Sequence, residues 1–89
     1  MPTVSRFFGI TIRMYSREHG RPHFHAVYGD TEATVAIDTL EVLGGALTRR
    51  VLALVIEWAM IHRSELRENW RRAQAHEPVL PIPPLDEEA

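Results

Sequence analysis

The chain has no cysteine. A disulfide framework, a thiolate metal site and a cysteine nucleophile are therefore excluded. Lysine is absent as well, because the ten basic residues other than histidine are all arginine. The planar arginine fork suits bidentate phosphate recognition, although strong codon bias gives the same usage. No apolar run approaches the roughly 20 residues needed to span a bilayer. The opening residues Met1 to Arg6 have no signal-peptide character. A soluble cytoplasmic protein with no membrane partner is expected. There is no P-loop, dinucleotide fingerprint, nucleophile elbow or helix-turn-helix signature. No internal repeat is visible, and no cofactor is expected.

What is present is an ordinary globular composition. The 89 residues are 45% hydrophobic and 25% charged. That length fits one domain, which buries only about 60% of its unfolded surface. The net charge of −2 is unevenly spread. Residues 1–75 hold all ten arginines against eight acids, and residues 76–89 hold Glu77, Asp86, Glu87 and Glu88 with no Lys or Arg. A compact domain over 1–76 and an extended, acidic, Pro-rich tail over 77–89 follow.

Hydrophobic alternation reads as strands over about 6–15, 23–29 and 32–38. In the first, Phe8, Ile10, Ile12 and Met14 form the buried face. Gly29-Asp30 fits a type II′ turn with glycine first. That turn sets Tyr28 opposite Thr31, Ala26 opposite Ala33, Phe24 opposite Val35, His25 opposite Thr34 and His23 opposite Ala36. Leu40 to Leu43 reads as a short fourth strand or a turn, and Gly44-Gly45 as a chain break. Thr48 looks like a helix N-cap. Val51, Val55, Trp58, His62, Leu66 and Ala73 then share one helical face, flanked by Leu54, Ala59 and Trp70. One continuous helix over 49–74 would be roughly 39 Å long, too long for a domain of about 12 Å radius of gyration. A break near His62 to Ser64 is expected, with Ser64 a candidate second N-cap. Prolines in the tail favour extended chain, and Val79, Leu80, Ile82 and Leu85 give it something to bury. The expected fold is α+β: a three- or four-stranded antiparallel sheet with one or two C-terminal helices (about 48–74) on one face.

The other sheet face then carries the chemistry. His23 and His25 are two apart on a strand and point the same way. Arg13 and Tyr15 are expected beside them. Two imidazoles can act as acid and base near neutral pH. With a cation they can cleave RNA without metal, because the 2′-hydroxyl supplies the nucleophile. His23, His25, Arg13 and Tyr15 are therefore candidate catalytic residues. Arg17, Arg21 and Tyr28 are candidates for binding nucleic acid or a partner. His19, His23 and His25 form a weaker candidate metal cluster. The bland alternative is that one of the two histidines packs against a strand neighbour and the other is solvated. His62 reads as a satisfied histidine on the apolar helix face. Arg63, Arg67, Arg71 and Arg72 read as a solvated stripe with Glu65 and Glu68 interleaved.

Several of these residues resemble a known pattern. Pro2-Thr3-Val4-Ser5, Phe8-Gly9-Ile10, Ile12, Met14-Tyr15, Glu18-His19, Pro22-His23-Phe24-His25-Ala26, Tyr28-Gly29, Glu57-Trp58, His62, Glu65-Leu66 and Asn69-Trp70 together resemble the small bacterial domain of unknown function family 4160. The likeness runs on into Pro83-Pro84-Leu85. The Pro-His-Phe-His-Ala stretch is its most specific piece. Arg21 and Thr48 stand where members tend to carry proline. The resemblance implies a stand-alone protein, often encoded beside a partner of the domain of unknown function family 2442. Such pairs look like toxin–antitoxin modules with this family as the toxin. A weaker likeness, in architecture alone, is to small ribonuclease toxins of double-stranded-RNA-binding-like fold, whose first helix this chain lacks.

Two classes of function are thus expected. One is a toxin-like component acting on RNA, with a protein antitoxin as partner. The other is a non-enzymatic module binding a protein or operator DNA, with a small metal-binding protein as a third option. A homodimer is left open by the apolar content.

Overall fold

A computed structural model describes residues 2–16 and 18–85. Five strands come first and two helices follow: β1 Thr3–Phe7, β2 Ile10–Arg13, β3 His23–Tyr28, β4 Thr31–Ala36, β5 Val42–Gly45, α1 Arg49–Ile61 and α2 Arg63–Gln74. The strands form one antiparallel meander in chain order. The α+β class is as expected, but the sheet has five strands rather than three or four.

The extra strand comes from splitting the segment over 6–15. Phe8 and Gly9 both have positive φ, 51° and 78°. That pairing is what a tight two-residue hairpin demands. A bulky aromatic is a poor advertisement for a left-handed position, so alternation runs straight through it. As a result Phe8 lies in the turn, 42% exposed, and not in the core. Phe7 is buried instead, its ring centroid 5.3 Å from that of Trp58.

At the next hairpin the expected register is met at every pair, from Tyr28↔Thr31 to His23↔Ala36. Gly29 has φ +61° and Asp30 does not share the positive φ. Gly44-Gly45 does not break the chain. These residues pair with Thr34 and Ala33 as the end of β5. A Cβ at Gly45 would lie 2.2 Å from the Glu32 carbonyl oxygen, so only glycine allows the strands this close.

Thr48 caps α1, its Oγ1 accepting from the Val51 amide at 3.3 Å. The helix breaks at His62, as its length requires. Ser64 is not the second cap; α2 starts at Arg63, with His62, two residues before Ser64, at the cap position and no side-chain capping bond. Ile10, Ile12, Met14, Phe24, Val35 and Ile37 meet Val51, Val55, Trp58 and Leu66 in one core. The tail joins it. Ile82 and Leu85 are buried, the Ile82 amide donates to the Val4 carbonyl, and Trp58 Nε1 donates to the Pro83 carbonyl at 2.8 Å. Among the described residues no helix is long and apolar enough to cross a membrane.

Candidate functional site

The sheet register builds the site. Arg13 on β2 lies directly across from His25 on β3, and His25 directly across from Thr34 on β4. All three therefore project from the face opposite Phe24 and Ala26. Tyr15, just past β2, sets its ring edge-on to His25 with centroids 4.8 Å apart. His23 and His25 are likewise edge-on at 5.3 Å. The four candidate catalytic residues are thus brought together.

This face is not fully open. α2 crosses the start of β3, where Trp70 packs on His23 with ring centroids 5.0 Å apart. Arg63 Nε donates to the Ile37 carbonyl, Arg67 pairs with Asp38, and Gln74 Nε2 donates to the Glu18 carbonyl. His23 is consequently 8% exposed. His25 is less enclosed, with 15% of its side chain exposed.

Two carboxylates complete the site. His23 Nδ1 lies 2.7 Å from the Arg21 carbonyl oxygen, which can only accept, so Nδ1 carries the proton. His25 Nδ1 faces Glu32 Oε2 at 3.1 Å, with Thr34 Oγ1 at 3.4 Å. Both Nε2 atoms then converge on one oxygen. Glu18 Oε1 is 2.5 Å from His25 Nε2 and 3.4 Å from His23 Nε2. Partial burial works to raise the Glu18 pKa. Hydrogen bonding and charge from His25, then from His23, outweigh it and hold the carboxyl below the usual carboxylate range. Arg13 Nε is buried with no hydrogen-bond partner.

The structure places several other candidates outside this cluster. His19 is exposed and stands outside the cluster; the three groups that could share a metal ion are Glu18, His23 and His25, with ligand atoms within 4.8 Å of one another. Arg21 turns to Glu41 at 2.7 Å and to Thr39. Tyr28 belongs to the other face by strand alternation and lies three residues along from His25. Arg17 lies outside the described residues. His62 pairs with Glu65 against the Trp58 ring. The arginine stripe of α2 is largely occupied, Arg71 by Glu68 and Glu77 and Arg72 by Glu68.

Residues 9–71 match the family described as Domain of unknown function (DUF4160). The chain belongs to this family. The match takes in Arg13, Tyr15, Glu18, His23, His25 and Glu32, so the whole cluster is DUF4160 sequence. No curated protein and no solved structure matches the chain.

Sequence reasoning named neither glutamate as a site residue. Glu32 was within reach, because the register that sets His25 opposite Thr34 also sets Val27 opposite Glu32 and leaves that carboxylate diagonal to His25 on the same face. Glu18 carried no such signal, since it sits in the irregular segment between β2 and β3, where alternation says nothing.

Proposed function

We propose that this DUF4160 chain is the toxin-like component of a bacterial two-gene module and that it acts on RNA at the cluster of Arg13, Tyr15, Glu18, His23 and His25. The observation that carries the reading is His25 itself: Glu32 orients its Nδ1, and its ring meets Tyr15 and Glu18 at the edge of solvent. A carboxylate behind an imidazole fixes the orientation of its ring. Arg13, beside His25 on the same face, is the cation for a phosphate. Tyr15 offers a ring for a base to stack on. His23, wedged under Trp70, serves to position. A protein antitoxin encoded alongside would silence the chain by covering this face.

The test is induced expression of wild type and His25→Ala at matched soluble levels, with growth and total RNA followed together. Arrest with RNA cleavage in the wild type alone is expected. Equal arrest in a folded His25→Ala variant would take the chemistry away from the cluster.

One observation favours a second reading, a non-enzymatic module that binds a protein. All four residues of β5 are exposed, Val42 and Leu43 by 39% and 40%. An edge strand of this kind can accept a strand from a partner. Complex formation without arrest or RNA turnover is its signature.

A further inference from the structure

The cluster holds potential metal ligands close together. His23 Nδ1 donates to the Arg21 carbonyl, and His25 Nδ1 faces the Glu32 carboxylate. Both Nε2 atoms are thereby turned toward the Glu18 carboxylate. One ligand atom from each of Glu18, His23 and His25 lies within 4.8 Å of the other two. Glu32 adds a second carboxylate beside His25.

We infer that Glu18, His23 and His25 form a site for one divalent transition-metal ion of the zinc class. The ligand set is two imidazole nitrogens and one carboxylate oxygen, which suits such ions and excludes calcium and magnesium as preferred occupants. Ligand atoms about 2.0–2.1 Å from a tetrahedral ion stand about 3.3 Å from one another. The His23 Nε2 to Glu18 Oε1 separation is already 3.4 Å. The His25 contact, at 2.5 Å, opens by rotation of the Glu18 carboxyl, whose side chain is 29% exposed.

The outer contacts point the same way, and independently. Metal-bound histidines nearly always donate their other N–H to a backbone carbonyl or a carboxylate. Here His23 does the first and His25 the second. Trp70 and Tyr15 wall the two rings. Three protein ligands leave a fourth position, and the exposed edges of His25 and Glu18 turn it toward solvent. That open position is the feature of reactive rather than purely structural zinc sites. The purpose of the ion rests on the reading of this cluster as the working site, where it would supply the positive charge that a phosphodiester needs. Its binding does not.

The experiment is a titration of tag-free, chelator-treated protein with Zn²⁺ by calorimetry, and with Co²⁺ by visible absorption. One ion per chain is expected, with four- or five-coordinate Co²⁺ bands. Glu18→Gln and His25→Ala should each weaken Zn²⁺ binding at least tenfold, and Glu32→Gln by roughly ten- to a hundredfold, as outer-contact losses usually do. His19→Ala should bind as wild type does. Circular dichroism certifies the fold of each variant, which is why buried His23 is left in place. No stoichiometric binding, or full binding by Glu18→Gln, overturns the site and leaves a proton shared between Glu18 and His25. Equal loss in His19→Ala overturns this ligand set. Zinc binding without arrest or RNA cleavage would keep the site and remove the toxin reading. Arrest and cleavage by a chain that binds no metal would do the reverse.

Discussion

Asn69 shows how much one polar side chain can hold. It is 1% exposed on α2, yet both ends of its amide are used. Its Nδ2 donates to the Leu80 carbonyl and its Oδ1 accepts from the Leu80 amide, each at 2.8 Å. The pair imitates a strand ladder and pins the tail to the helix. Asn69→Ala would strand two backbone groups, each costing about 1–3 kcal/mol when left unpaired. Urea unfolding should show a loss of about 2–4 kcal/mol. Gly45 is the other exacting residue. A methyl group at this position meets backbone 2.2 Å away at φ +73°, so Gly45→Ala must push β5 off β4. A loss of about 2 kcal/mol or more is expected from strain of this kind, while Gly44→Ala, which meets nothing within 4 Å, should be nearly silent. At this scale little was legible in advance. Asn69 lies on the buried side of an amphipathic helix, and its polarity hid it. Gly45 looked like punctuation because a close backbone approach leaves no mark except glycine itself.

Between elements, the decisive partner of the helices is the tail. Ile82 and Leu85 are 4% and 8% exposed and sit in the same core as Val55 and Trp58. Truncating a buried aliphatic to alanine costs 2–5 kcal/mol in well-packed cores. For residues near a chain end the low figure applies, so Ile82→Ala and Leu85→Ala should each cost about 2 kcal/mol in denaturant unfolding. The cap of α1 is a smaller effect. Thr48→Ala removes one bond to the Val51 amide and should cost about 1 kcal/mol. The hairpin of β3 and β4 was legible down to each pair, because glycine at 29 and alternation on both strands agreed. The hairpin of β1 and β2 was not, because Phe8 and Gly9 interrupt no alternating pattern. The helix break at His62 was readable only from the size of the domain, since the apolar face continues through it.

For the molecule as a whole, sheet, helices and tail share a single core, so no part has a reason to unfold alone. Its Cα radius of gyration is 12.0 Å, with extents of 34, 27 and 23 Å. Trp58 reports the core and the Pro83 contact, while Trp70 reports the His23 end of the sheet. Fluorescence and far-UV circular dichroism should therefore follow the same urea transition. A fluorescence change at lower urea than the loss of helix would mean that the tail or α2 detaches first. The same shared core places the candidate site: with Leu66 and Ala73 buried, α2 passes over the start of β3 and brings Trp70 onto His23.

By itself the sequence determined the α+β class, the β3–β4 register, the cap at Thr48 and the gathering of Arg13, Tyr15, His23 and His25 on one face. Each of these follows from a local period or a local turn, and such rules act over a few residues. Only the tertiary structure decided that Glu18 and not His19 meets the histidines, that Trp70 covers His23, and that the tail completes the core. Those contacts join segments separated by loops, where no periodicity carries information. They are chosen by the demand that buried apolar surface be covered and buried polar atoms be paired.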